Sequence, residues 1–108
     1  MIKLVTLLKI RPGYTREQVE KYYQEVHVKV AGAPMPHVAR YTTATIHVGR
    51  TQKEPWWRIS EHYFNTYDDL KKALASSEAQ ALEGDREFWD MVEDIRFITD
   101  EIEEPQRW

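Results

Sequence analysis

IKLVTLLKIRPGYTREQVEKYYQEVHVKVAG, residues 2–32, contains one change of hydrophobic period, and that change sets the fold. Residues 2–10 are β-rich and stop at Arg11-Pro12-Gly13, where proline fixes one torsion and glycine permits the turn. Thr15-Arg16-Glu17-Gln18 then matches a capping box: the threonine oxygen takes an orphan helix amide, and the glutamine reaches back to the threonine amide. A helix therefore starts near Arg16. Its apolar stripe runs Val19, Tyr22, Tyr23, Val26, His27, Val30, the spacing of one buried face. The helix should fail around Gly32, because Gly32-Ala33-Pro34-Met35-Pro36 cannot continue its hydrogen bonding.

Downstream, residues 38–48 (VARYTTATIHV) read as a second strand. Residues 49–55 should form a polar hairpin loop leading into a third strand, WWRISEHYFNT. Asn65 or Thr66 caps a second helix, TYDDLKKALASS, with Leu70, Ala73 and Leu74 facing inward and Asp68 and Asp69 suiting its positive end. Ser77-Glu78-Ala79-Gln80 is again a capping box, so a further helical piece should run from Ser77 to Ala81 or beyond, interrupted by Gly84. Residues 93–103 (EDIRFITDEIE) supply the last strand, before a polar tail ending in tryptophan. The order is β-α-β-β-α-β with extra helix before the final strand. This is the ferredoxin-like α+β order, with a four-stranded antiparallel sheet and helices on one face. Strand one is apolar on both faces, and a second copy packing sheet to sheet is the simplest cover, so a homodimer is expected.

A chain of 108 residues with 42% hydrophobic and 12% aromatic content fits one domain with a real core, residues 1–108. The absence of cysteine excludes disulfides and thiol catalysis and suits a reducing cytoplasm. The amino terminus has only short apolar runs, broken by Lys3 and Lys9, and reads as neither signal peptide nor membrane span. A net charge of −3, with cations scattered among 18 acids, leaves no basic stripe for nucleic acid.

The strand MIKLVTLLKI, the turn RPGYTREQ, the helix YYQEVHVKVAG with histidine four residues after tyrosine, the prolines that follow, and SEHYFNTYDDLKKALAS together resemble the EthD-like family of dimeric α+β barrels. The resemblance covers almost the whole chain. It implies a small-molecule pocket in each subunit and a catabolic role beside an oxidising system. Similar barrels include isomerases, polyketide cyclases and cofactor-free monooxygenases, so the resemblance implies no single reaction.

His27 is the first candidate, as a proton carrier near neutral pH, with Tyr23 stacked on the same wall. The competing reading makes it a core histidine tied to a carbonyl or carboxylate. On the strands, Tyr41 and His47 share one side of strand two. Strict alternation puts Trp57, Ile59, Glu61 and Tyr63 on one side of strand three, and Trp56, Arg58, Ser60, His62 and Phe64 on the other. Tyr41, His47, Trp57, Glu61 and His62 are candidate pocket residues, of which each face can contribute only its own set. Glu61-x-Tyr63 also looks like a recurrent feature of the family. His37 belongs to the proline loop, solvated or at the pocket mouth. The four histidines lack the close spacing of metal ligands, and no nucleotide or nucleophile-elbow motif is present, so no metal or cofactor is expected. The partner expected is a small hydrophobic ligand, with an oxidase system as a further possibility. Three roles follow: a cofactor-independent enzyme or accessory protein, a non-catalytic ligand-binding or stress-type barrel, and a structural dimer partnering an oxidase.

Overall fold

The computed structural model describes residues 1–30, 32–47 and 56–104. The elements are β1 (Ile2–Ile10), α1 (Arg16–Tyr22), a π-helical turn (Tyr23–His27), α2 (Val28–Val30), β2 (Arg40–Thr45), β3 (Trp56–Phe64), α3 (Tyr67–Leu74), α4 (Ser77–Glu83), α5 (Arg86–Met91) and β4 (Val92–Asp100). The four strands form one antiparallel sheet in the order β2-β3-β1-β4, the ferredoxin-like arrangement expected from the element order. No helix among the described residues is long and apolar enough to cross a membrane.

The capping box at Thr15 forms as read: the Gln18 amide donates to the threonine hydroxyl, and the Gln18 side chain accepts from the Thr15 amide. Thr66, the second of the two candidates, caps α3. Other local expectations are corrected. The cap of α4 is Ser76, one residue before the expected Ser77, and accepts from the Ala79 amide. Leu74 is exposed, leaving Leu70 and Ala73 as the buried face of α3. The second strand is shorter than 38–48. At one end His37 has φ 64°, which turns the chain before Arg40; at the other, a bulge in β3 ends the regular ladder. The last strand is shifted to Val92–Asp100. The expected hairpin 49–55 and the end of the tail, 105–108, lie outside the described residues.

Two irregularities redirect side chains. In the π-turn the Val28 amide bonds back to the Tyr23 carbonyl, five residues away. The extra residue in that turn rotates later positions backward, so Val26 and Val30, expected in the buried stripe, are exposed while Tyr23 and His27 stay buried. In β3, Leu8 faces Arg58 but Lys9 faces Trp56, so Trp57 is an extra, unpaired residue. The bulge turns Trp57 onto the helix-covered face beside Arg58. Trp56 moves to the opposite face, where the Lys9 ammonium lies 5.7 Å from its ring centroid, contrary to strict alternation.

Helices cover one face of the sheet. One buried cluster joins Leu8, Ile10 and Trp57 to Val19, Tyr23, Phe88 and Val92. A second joins Leu4 and Phe64 to Leu70 and Ala73. Each fully buried aromatic, Trp57, Phe64 and Phe88, removes enough apolar surface to contribute roughly 2–3 kcal/mol. The other face carries Val5, Leu7 and Ile59 beside Ile95 and Phe97, the last two 48% and 43% exposed.

Candidate functional site

The two clusters do not meet. Between them lies a cavity of about 600 Å³, with Leu4, Thr6, Leu8, Ser60 and His62 from the sheet, Tyr23 and His27 from the helix, and Phe88 and Trp89 from α5 among its walls. Exposed Val28 and Leu74 mark its rim.

His27 has both a structural partner and a face on the cavity. Its Nδ1 lies 2.9 Å from the Asp85 carboxylate, and its ring stacks on Phe88 at 3.8 Å between centroids. Asp85 caps α5: His27 is on its Oδ2, while its Oδ1 accepts from both the Phe88 amide at 3.4 Å and the Tyr22 hydroxyl at 2.7 Å. Burial opposes ionisation of Asp85, but the donors Tyr22, His27 and Phe88 outweigh it and hold the carboxyl below the usual range. Burial likewise pushes His27 below the ordinary imidazole value, and Asp85 offsets only part of that. The consistent state is a carboxylate beside a neutral imidazole that donates from Nδ1, which leaves Nε2 as an acceptor with no partner among the described residues. Asp85 was not among the sequence candidates. Gly84-Asp85-Arg86 does carry a helix-start signal, but its partners are 58 and 63 residues away.

Tyr23 and Tyr41 approach oxygen to oxygen at 3.2 Å, and burial, then the bond to Tyr41, pushes the Tyr23 phenol up to about 12. The Tyr41 ring packs on His62 at 4.5 Å. Burial, with the Arg96 cation second, pushes His62 down to about 4, and its Nδ1 is buried without a partner. His27, Tyr23, Tyr41 and His62 thus share one cavity. The remaining candidates stand elsewhere. Trp57 lies beneath Tyr23, edge to face at 5.4 Å, without lining the cavity. Glu61 is on the far face of the sheet, 3.2 Å from Lys3 and also bonded to Thr42 and Tyr63. His47 and His37 are exposed and line no part of the cavity. Among the described residues no cluster of three or more acidic or histidine side chains is arranged to hold a metal.

A family model described as the EthD domain matches residues 11–91. Solved structures of similar fold include an ethyl tert-butyl ether d (EthD) family protein from Bacillus halodurans, 20% identical with a TM-score of 0.73, covering 94% of this chain and 99% of that one. A variant of a cofactor-independent oxygenase from Streptomyces nogalater is 12% identical with a TM-score of 0.60, covering 95% of this chain and 94% of its own. A dimeric ferredoxin-like protein of unknown function from Thermobifida fusca is 14% identical with a TM-score of 0.63, covering 91% and 88%. At such identities the likeness is one of fold. A search of curated proteins gives no match.

Proposed function

The chain belongs to the EthD family, and we propose that it acts on a small apolar molecule from which His27 removes a proton inside the helix-sheet cavity. The observation that carries this reading is the 2.9 Å bond between His27 Nδ1 and Asp85, on a residue that also lines the cavity. Asp85 fixes the tautomer and stabilises the imidazolium that forms on proton transfer. The step balances simply: the substrate C–H proton goes to Nε2, and its electron pair moves onto the adjacent carbonyl oxygen as an enolate. No cofactor is required for that transfer. From an enolate, isomerisation, cyclisation or oxygenation can follow, which fits a relative named as a cofactor-independent oxygenase.

Residues 1–108 act as one domain in this reading, in the cytoplasm that a cysteine-free chain suits. Two copies pair through the uncovered face that carries Ile95 and Phe97, as a dimeric relative of the same fold suggests. The alternative is a binding-only barrel in which Asp85 merely tethers His27. Hydrogen–deuterium exchange of 2-tetralone, followed by NMR, separates the two. The enzyme reading predicts exchange above background that His27→Gln lowers by roughly 100-fold or more. Uptake of 2-tetralone without exchange favours the binding barrel, and wild-type exchange by the variant removes His27 from the chemistry.

A further inference from the structure

The covered face of a sheet calls for apolar side chains, and β1 nearly supplies them: Ile2, Leu4, Leu8 and Ile10 pack into the two clusters. Thr6 breaks that run at its midpoint. Thr6 stands opposite Ser60 of β3 on one side and Arg96 of β4 on the other, and Ser60 stands opposite Thr43 of β2. One polar rung therefore crosses all four strands. His62, two residues from Ser60 on the same face of β3, lies opposite Leu4 and adds a further polar group beside the rung.

Members of this rung differ in whether they have partners. The outer two do: Thr43 accepts from Arg58 at 2.9 Å, and Arg96 is bonded to Glu83 and Asp94. The inner two, Thr6 and Ser60, have no side-chain hydrogen bond to any described residue, and both line the cavity. Ser60 is only 7% exposed. His62 lines the same cavity, with its Nδ1 buried and unpaired. Residues opposite one another in a sheet are about 5 Å apart and alternate ones along a strand about 7 Å, so three incomplete polar groups share one patch. Packing alone gives no reason for it. A buried hydroxyl without a partner costs free energy that valine or alanine would not, so the patch is explained by something it binds.

We propose that Thr6, Ser60 and His62 form a polar floor of the cavity and hold a hydroxyl group, of a phenol, enol or alcohol, on an otherwise apolar ligand. The inference rests on the reading of the cavity as the substrate site of His27, and it names the class of ligand. A hydroxyl fits because serine, threonine and neutral imidazole can each donate and accept, and a hydroxyl does both as well. It finds a matching partner however the hydrogens of the floor lie. Carboxylates fit poorly. Among the described residues lining the cavity, Arg96 is already paired, Lys29 is exposed, and Glu83 would repel a second anion. A buried carboxylate without a free cation is costly.

Fluorescence titration with 2-naphthol and naphthalene at neutral pH tests the assignment, because the two probes differ by one hydroxyl. Wild type should bind 2-naphthol about 10-fold more tightly than naphthalene. The double variant Thr6→Val/Ser60→Ala and the single variant His62→Leu should each cut that preference to about 3-fold or less, with naphthalene binding little changed. A variant of either kind that keeps the full preference overturns the proposal, as does a wild type with no preference, including one that binds neither probe. Urea unfolding guards against a merely structural role. The double variant should unfold at the same or a higher urea midpoint, since the hydroxyls it loses had no partner; a lower midpoint would show that they serve the fold and overturns the proposal. Neither probe needs to react, so binding and chemistry report separately. A wild type that exchanges 2-tetralone but shows no naphthol preference keeps the base and loses the floor, and one with the preference but no exchange does the reverse.

Discussion

The two faces of the sheet solve the same problem in opposite ways. On the uncovered face, Glu61 accepts from Lys3, Thr42 and Tyr63, and Lys3 also reaches Glu101, so the charged groups complete one another, although the Thr99 hydroxyl opposite Lys3 is buried without a partner. On the covered face, Arg96 and Glu83 at the cavity pair with each other, but Nε2 of His27 has no partner among the described residues and Nδ1 of His62 is buried without one. A buried group left incomplete costs free energy that a ligand can recover, whereas a completed network has nothing left to offer. The difference favours the covered face for the chemistry proposed above.

Removing the anchor of the covered face should break the contrast most severely. Asp85→Ala takes away the α5 cap and the acceptor of Tyr22 and His27 together. The expected loss is about 4 kcal/mol in urea unfolding, since it strands two partners as well as the cap. Asp85→Asn keeps the cap and should lose much less. A similar loss for both variants would show that charge, more than hydrogen-bond count, secures the helix.

Sequence showed the frame of this face more clearly than its chemistry. Thr15 and Gln18 announce their capping box because both partners lie within one helical turn, and Thr66 does the same for α3. The order of strands followed from such local signals, as did the strand pairing that separates Glu61 from His62. The π-turn at Tyr23–His27 and the bulge at Trp57 were not legible. Each inserts a residue into a regular period, and what stabilises it is tertiary packing. Their effects are large: Val26 leaves the core, and Trp57 changes face. His27 was found from the helix stripe, but the question posed there, tether or cavity wall, assumed that one excludes the other. Asp85 makes it both, through contacts that no local pattern encodes.

A second prediction uses the incomplete His62. An unfolded chain protonates this histidine near 6.5, the folded one only near 4. Between those values the unfolded state binds the extra proton, so stability falls as pH is lowered through that window and levels off below about 4. The loss reaches up to about 3 kcal/mol, to be read as a pH series of urea midpoints. His27 is also held below its ordinary value and contributes in the same direction. His62→Leu should therefore flatten part of the slope and leave the remainder. An unchanged slope would mean that the covered face does not hold His62 neutral.

The smallest effect is expected on the completed face, and its size depends on what that face meets. Glu61→Gln keeps an oxygen for Thr42 and Tyr63 but loses the charge that faces Lys3. At concentrations where the chain is monomeric, Lys3 still has Glu101 and water, so the loss should be about 1 kcal/mol. If two copies pack sheet to sheet, the same lysine is buried with one partner fewer, and the loss should rise to about 3 kcal/mol. Urea unfolding at two protein concentrations, with sedimentation to fix the species, distinguishes these values. A cost that does not grow with association places the interface elsewhere than over Ile95 and Phe97, and the completed face would then be one that the protein shows to water.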